Sequence, residues 1–370
     1  MQSRVSLGGA PQRILAIKFK HIGDVLLATP TLHALKMAFP GSKIYALVRE
    51  GAEEMLTFNP DLEEVLTFAK GRGLRAKLLS EWRLFRQVRR IRPGLVVEMG
   101  KGDREAILGF LSGAKVRVGY DPQGSGLLGR RWLLTHVVDQ DWEKHVVESN
   151  LDLVRAMGIA PPDTHLRLFF PREDQEAVEA LLRTHNVSAS DLLVTLHPTA
   201  RWFFKCWTDK GFAAVADHLV RRWGARVAVT SGQARREVEK AKQVIALAKS
   251  PLIDAAGMLT LKHLAALIAR SHLFLGVDSA PMHVAAAVRT PVVALFGPSR
   301  ENNWRPWGDG HVVLKKDDLC RPLGSNTCVK TKRCECLEGL TVEEVIAAVD
   351  AQLAKRIRDP DRWTCSAAAH

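Results

Sequence analysis

Short apolar runs alternate along this chain with segments whose apolar residues recur at helical spacing. Arg13–Lys18 (RILAIK) predicts a buried central strand. Val25, Leu26, Leu32, Leu35 and Phe39 predict a helix over Asp24–Phe39, stopped by Pro40-Gly41. Lys43–Val48 reads as the next strand and Glu50–Phe58 as a short helix. Glu64–Phe68, Gly94–Met99 and Lys115–Gly119 read as the third, fourth and fifth strands. Between the third and fourth, Leu78, Trp82, Phe85, Val88 and Ile91 form a helical stripe expected to pack on the sheet. Glu143–Met157 predicts a helix ended by Gly158, and residues 160–173, with Pro161, Pro162 and Pro171, read as the start of a linker. After a helix at Asp174–His185 the alternation restarts with strand Leu192–His197, helix Thr208–Trp223, strand Arg226–Thr230, helix Arg235–Ala248, strand Leu252–Asp254 and helix Leu261–Ala269. Leu273–Ser299 then predicts a buried strand to Val277, a turn holding Asp278 and Ser279, a helix over Pro281–Val288 and a buried strand over Pro291–Phe296. Thr341–Leu353 reads as the last helix.

Strands separated throughout by helices predict an α/β protein with parallel, doubly wound sheets. Two such domains are expected, at 1–165 and 166–355, with a disordered tail at 356–370. Their common site is expected in the cleft between them, at the carboxyl ends of the strands.

Composition narrows the class. Apolar content of 46% and charged content of 25% are those of a soluble globular protein. The longest apolar runs are too short to cross a bilayer, and residues 1–12 lack the apolar core of a secretory signal, so a cytosolic location is expected. A net charge of +13 calls for an acidic partner: nucleic acid, an anionic membrane surface or a phosphorylated substrate. Much of it lies in Lys70–Arg92, where Lys70, Arg72, Arg75, Lys77, Arg83, Arg86, Arg89, Arg90 and Arg92 face the single acid Glu81. Such a basic helix suits a membrane face or an acidic acceptor. Four of the six cysteines, Cys320, Cys328, Cys334 and Cys336, are spaced C-x7-C-x5-C-x-C, which is not a zinc spacing; reduced thiols in a loop are expected there. Gly71, Gly73 and Ala76 spell G-x-G-x-x-A ahead of a helix, but after the third strand instead of the first, which argues against a nicotinamide site.

Three loops carry candidate chemistry. In His21-Ile22-Gly23-Asp24, Asp24 is either a helix cap or, as a carboxylate kept ionised by the helix terminus, a base. In His197–Trp207 (HPTARWFFKCW), Thr199, Arg201 and Lys205 set a hydroxyl and two cations where a pyrophosphate could be held. The third is the Asp278–His283 turn, whose helix N-terminus attracts phosphate and whose His283 adds a donor.

KFKHIGDVLLATPTLHALK, HPTARWFFKCW, DAAGMLTLKHLAALIARSHLFLGVDSAPMHVAAA and PVVALFGPS together resemble the ADP-heptose:lipopolysaccharide heptosyltransferases, glycosyltransferase family 9, over 13–353. HPTAR, GVDSAP and Trp304–Trp307 (WRPW) look most like the core heptosyltransferase III branch. The resemblance implies a GT-B fold and metal-independent, inverting transfer of heptose from ADP-heptose, a substrate and not a cofactor. It implies Asp24 as catalytic base and Lys205 as the group that steadies the ADP leaving group. Thr199 and Arg201 would lie beside the phosphates, and Asp278, Ser279, Ala280 and His283 around pyrophosphate and heptose; Ala280 stands where most relatives have Gly. Lys18, Lys20, Lys101, Asp103 and Arg104 fall where the family meets its acceptor, a phosphorylated Kdo-lipid A inner core at the cytosolic face of the inner membrane. A monomer that binds no nucleic acid is expected. Heptosyltransferase II or I differs from this only in acceptor, and an NAD-dependent oxidoreductase or a basic nucleic-acid-binding module is the remoter alternative.

Overall fold

The computed structural model describes residues 9–68, 73–121, 130–316 and 334–359. Lys70, Gly71, Arg72, Cys320, Cys328, Cys365 and the tail from 360 onward lie outside them. The chain divides into two compact units, Met1–Phe169 and Phe170–His370.

The first unit is built on a six-stranded sheet of β1 (Arg13–Lys18), β2 (Lys43–Arg49), β3 (Glu64–Phe68), β4 (Leu95–Glu98), β5 (Val116–Tyr120) and β6 (His136–Val138), in the order β3-β2-β1-β4-β5-β6. Every pairing is parallel. The second unit repeats this order with β7 (Leu193–His197), β8 (Arg226–Ser231), β9 (Ile253–Ala256), β10 (Leu273–Val277), β11 (Val292–Phe296) and β12 (Val312–Lys315), arranged β12-β11-β10-β7-β8-β9 and again all parallel. Both sheets bury their central strands on two faces, so β1, β4, β7, β10 and β11 read as continuous apolar runs. The edge strands β6 and β12 lack such a run and were not expected. In each sheet the first strand and the fourth lie side by side while their connections leave in opposite directions, which opens a crevice at their carboxyl ends.

The helix expected over Asp24–Phe39 is two: α1 (Ile22–Leu26) and α2 (Thr29–Ala38). Pro30 is the cause, since it has no N–H to give the Leu26 carbonyl. The Thr29 hydroxyl donates to that carbonyl instead, at 2.8 Å, and the Asn150 amide donates to Leu27 O at 3.1 Å. Asn150 belongs to α5 (Val146–Arg155), which packs against α2. Its Oδ1 accepts from the Lys18 ammonium at 3.0 Å, and Lys18 also donates to Met99 O at 2.8 Å. Lys18, expected at the acceptor, is thus buried and held inside the unit. Burial, only partly offset by Asp24, lowers its pKa to about 8.

Helix α3 (Leu74–Ile91) also differs from expectation. Its buried residues are Leu84, Val88 and Ile91, packed on Leu15, Leu47, Leu66 and Val96 of the sheet. Leu78 and Trp82 of the expected stripe are 64% and 53% exposed. Spacing of i, i+4 fits Leu78 and Trp82 as well as Leu84 and Val88 on the opposite side, and the sheet covers only the second pair. α4 (Asp103–Leu111) follows β4 and packs against α3.

In the second unit, α7 (Asp209–Trp223), α8 (Arg235–Leu247) and the closing helix, here α13 (Val342–Arg358), cover one face of the sheet, with Phe212, Val244, Val345 and Val349 buried there. The other face holds α6 (Arg172–Thr184) and α9 (Leu261–Arg270), with Val178, Leu182 and Leu267 buried. Short α11 (Glu301–Trp304) and α12 (Glu335–Glu338) complete the unit. The cysteine expectation of reduced thiols holds for Cys334, which is free, and needs correcting for Cys336, which is disulfide-bonded; both are buried. Both belong with Leu337 to the core, so this part of the segment is packed into the unit and not a loose loop.

Two tests follow from this packing. Leu84→Ala should destabilise the protein by about 2–5 kcal/mol in denaturant titration, whereas Leu78→Ala on the same helix should stay within about 0.5 kcal/mol. A lysine with a lowered folded pKa binds fewer protons folded than unfolded, so its burial opposes folding below pH 8, and that opposition is relieved between pH 8 and 10.5. Thermal unfolding of the wild type across that window should therefore show a Lys18-dependent gain with rising pH that Lys18→Met lacks.

Candidate active site

The crevice of the first unit gathers its chemistry from the loop after β1 and the loop after β4. His21 precedes α1, and Asp24 is the third residue of the helix, not its cap; its Oδ2 accepts from the His21 amide at 3.2 Å. Only one carboxylate oxygen is taken by this bond, and the side chain is half-buried. Around it stand Lys18, Lys20 and Lys101, close enough to feel one another's charge. Lys101 lies with its ammonium 3.3 Å from the centre of the Trp142 ring. Desolvation first, then repulsion from Lys20 and Lys18, brings its pKa down to about 8, with Asp24 pulling the other way. Lys20 is exposed. Buried Glu105 adds a second carboxylate beside Lys18, so three ammonium groups stand about two carboxylates and leave an excess of positive charge suited to an anionic ligand.

Arg104 and Asp103 open α4 at the same end of the sheet. The Arg104 guanidinium lies 3.2 Å from the Phe68 ring centre and pairs with Glu81 at 2.6 Å, so it ties α4 to α3 and β3. Asn150, which holds Lys18, carried no sequence signal, because it sits in an ordinary amphipathic helix far along the chain.

In the second unit the loops after β7 and β10 meet at the corresponding crevice. Lys205 ends a 3-10 turn at Phe203–Lys205, and its ammonium pairs with Asp278 Oδ2 at 2.7 Å; their side chains are 25% and 9% exposed. Sequence placed these residues 73 positions apart, and the parallel pairing of β10 with β7 brings them together. Asp278 leaves β10, Ser279 holds the position before α10 (Ala280–Ala287) without a side-chain bond to its amides, and Ala280 is its first residue. The Ser279 hydroxyl donates back to Val277 O at 3.2 Å. His283 is buried one turn into the helix. Pro281 has no N–H and the Met282 amide donates to Ser279 O, so these two positions offer an anion nothing. Lys205 is therefore the stronger positive group at this crevice.

Thr199 is fully buried, and its hydroxyl donates to Glu237 Oε2 at 3.0 Å while meeting His197 Nε2 at 3.1 Å. His197 Nδ1 meets the Thr230 hydroxyl at 2.9 Å, and Glu237 also accepts from the Gly232 amide. Burial lowers the His197 pKa to about 3, so the ring is neutral and relays hydrogen bonds without charge. Thr199 thus fixes the loop from within, tied to a Glu237 that no motif had marked. Arg201 is exposed, its guanidinium 5.6 Å from the Trp202 ring centre. Cys206 is a free thiol pushed by burial to about 11, too high for a nucleophile at neutral pH. Among the described residues no group of three or more His, Cys, Asp or Glu side chains could hold a metal ion.

Residues 81–333 match glycosyltransferase family 9 (heptosyltransferase). Lipopolysaccharide heptosyltransferase 3 of Escherichia coli is 31% identical over 334 residues, spanning 90% of this chain and 96% of that protein. A crystal structure of a family 9 glycosyl transferase from Veillonella parvula superposes with a TM-score of 0.80 at 24% identity, over 93% of this chain and 97% of that one. The structure of E. coli ADP-heptose LPS heptosyltransferase II gives 0.75 at 20% identity, over 93% and 99%. Two parallel doubly wound units with these neighbours are the GT-B fold, and the chain belongs to glycosyltransferase family 9, the heptosyltransferases.

Proposed function

We propose that this enzyme transfers L-glycero-D-manno-heptose from ADP-heptose, with inversion, onto a heptose of the lipopolysaccharide inner core, as a heptosyltransferase of type III. Support for the type comes from the E. coli relative named heptosyltransferase 3. Support for the donor comes from the ion pair of Lys205 with Asp278, the single observation that carries the assignment. A pyrophosphate is repelled by Asp278, so that carboxylate serves to aim the lysine. An ammonium has three N–H donors, of which Asp278 takes one.

In the proposed step, Asp24 accepts the proton of the acceptor hydroxyl as its oxygen attacks the anomeric carbon. The bond from that carbon to the β-phosphate oxygen breaks, and ADP departs with the electron pair. Lys205 and the dipole of α10 neutralise the charge that develops, which is the office a metal ion performs in other transferases. Turnover should accordingly be unchanged by EDTA. Lys20 and Lys101 are assigned to the carboxylates and phosphates of the acceptor, with Lys18 setting the field behind them. The acceptor is lipid-borne and is met at the cytosolic face of the inner membrane. An oxidoreductase is disfavoured because Gly73 follows β3, the edge strand, and not a strand at the crevice.

The test uses ADP-heptose with acceptors shortened one sugar at a time. Turnover should require a heptose-bearing acceptor, and preference for a Kdo-terminated acceptor would replace type III with type I. Asp24→Asn keeps an oxygen for the His21 amide but removes the base. A fall in kcat of about 10²–10⁴-fold is expected, and retained turnover would reduce Asp24 to a structural role. Lys205→Ala should lose about 10²-fold in kcat.

A further inference from the structure

The outward face of α3 joins two features that a solvated helix does not combine. At 100° per residue, Leu78, Leu79, Trp82, Arg75, Arg86 and Arg89 share an arc of about 100°, opposite the buried Leu84, Val88 and Ile91. Leu78, Leu79 and Trp82 are 64%, 47% and 53% exposed, and all three arginines are exposed. The Arg86 guanidinium lies 4.7 Å from the Trp82 ring centre. The arc carries no acid: Glu81 is turned aside to Arg104.

We infer that the outward face of α3 is a bilayer-docking element, with Leu78, Leu79 and Trp82 entering the interface of an anionic membrane and Arg75 and Arg86 binding its phosphates. Charge selects this occupant. A second copy of the chain would set one arginine-rich face against another, whereas anionic lipid gains about 1 kcal/mol per basic residue near its surface. Trp and long aliphatic side chains are suited to the headgroup boundary, and arginines extend from there to phosphate. No described helix is long and apolar enough to cross a membrane, so α3 lies on the surface. It is the next element along the chain after the carboxyl end of β3, the end of the sheet where Asp24 and Lys101 stand. Docking would bring that end to the bilayer, and in this respect it rests on the proposed lipid-borne acceptor.

Basic steering alone and insertion differ in salt dependence. The full chain should sediment with vesicles of phosphatidylcholine containing about one-third phosphatidylglycerol and keep a measurable part of that binding at about 0.5 M salt, where charges are screened within a few ångströms. The triple variant Leu78→Ser, Leu79→Ser, Trp82→Ser should lose about tenfold of the salt-resistant part. Its melting temperature and its turnover on a water-soluble acceptor should match the wild type. Binding by the triple variant equal to wild type, or wild-type binding abolished at high salt, would overturn insertion. A drop in molar mass of the triple variant by light scattering would make the face a dimer contact, and retention of the protein by duplex DNA but not by vesicles would make it a nucleic-acid surface; either overturns the docking. Because the soluble acceptor reports transfer without a membrane, loss of docking leaves heptosyl transfer standing, and absence of transfer with every acceptor leaves docking standing.

Discussion

Parallel pairing of the first and fourth strand of each sheet is the constraint from which the candidate site follows. β1 beside β4 and β7 beside β10 have their amides committed along both edges and side chains buried on both faces. Polar groups then accumulate mainly where these strands end. The connections leave to opposite sides, so nothing of the sheet's own covers those ends, and the helices that follow point their amide ends there. Lys205 and Asp278, Asp24 and Lys101 are each a product of that geometry in their own unit.

The two crevices handle charge differently. In the second unit a cation and a carboxylate neutralise each other at 2.7 Å, so in the absence of an anionic ligand little net field remains. In the first unit two carboxylates, Asp24 and Glu105, face three ammonium groups, two of them with pKa values lowered to about 8 by desolvation and mutual repulsion. An excess of positive charge held there despite this repulsion is unfavourable for folding. On the proposed function that charge meets the acceptor's carboxylates and phosphates, while the balanced pair of the second unit orients a lysine toward a leaving group.

Sequence disclosed what buried parallel strands make obvious and little of what tertiary contacts decide. β1, β10 and β11 are apolar runs with few alternatives, and their alternation with helices leaves only a doubly wound sheet. β6, three residues long, and the half-buried β12 are edges, where pairing needs no apolar run. Pro30 did signal a break in the first helix, and its effect could have been read from the missing N–H alone. The motif letters located Thr199 and Lys18 but not their direction: both turn inward, and a hydroxyl or ammonium on a loop or strand gives no hint of the Glu237 or Asn150 that will claim it. The apolar residues of α3 run nearly all round the helix, so spacing does not choose its face, and only the sheet decides which stripe is covered.

Asp24 shows how far a site residue can depend on distant contacts. α1 has five residues, too few to hold a helical conformation by its own hydrogen bonds. Its C-terminal carbonyls are held instead by the Thr29 hydroxyl and the Asn150 amide, and the Thr29 oxygen itself accepts from the Arg167 amide at 3.0 Å. Asn150 is fixed in turn by Lys18, whose ammonium also binds Met99 O at the end of β4. The carboxylate is therefore positioned by β1, β4, α5 and the last segment of the first unit together. A short, broken helix is what allows this: a continuous helix over 24–39 would satisfy Leu26 and Leu27 internally and leave α5 with no hold on the turn that carries Asp24.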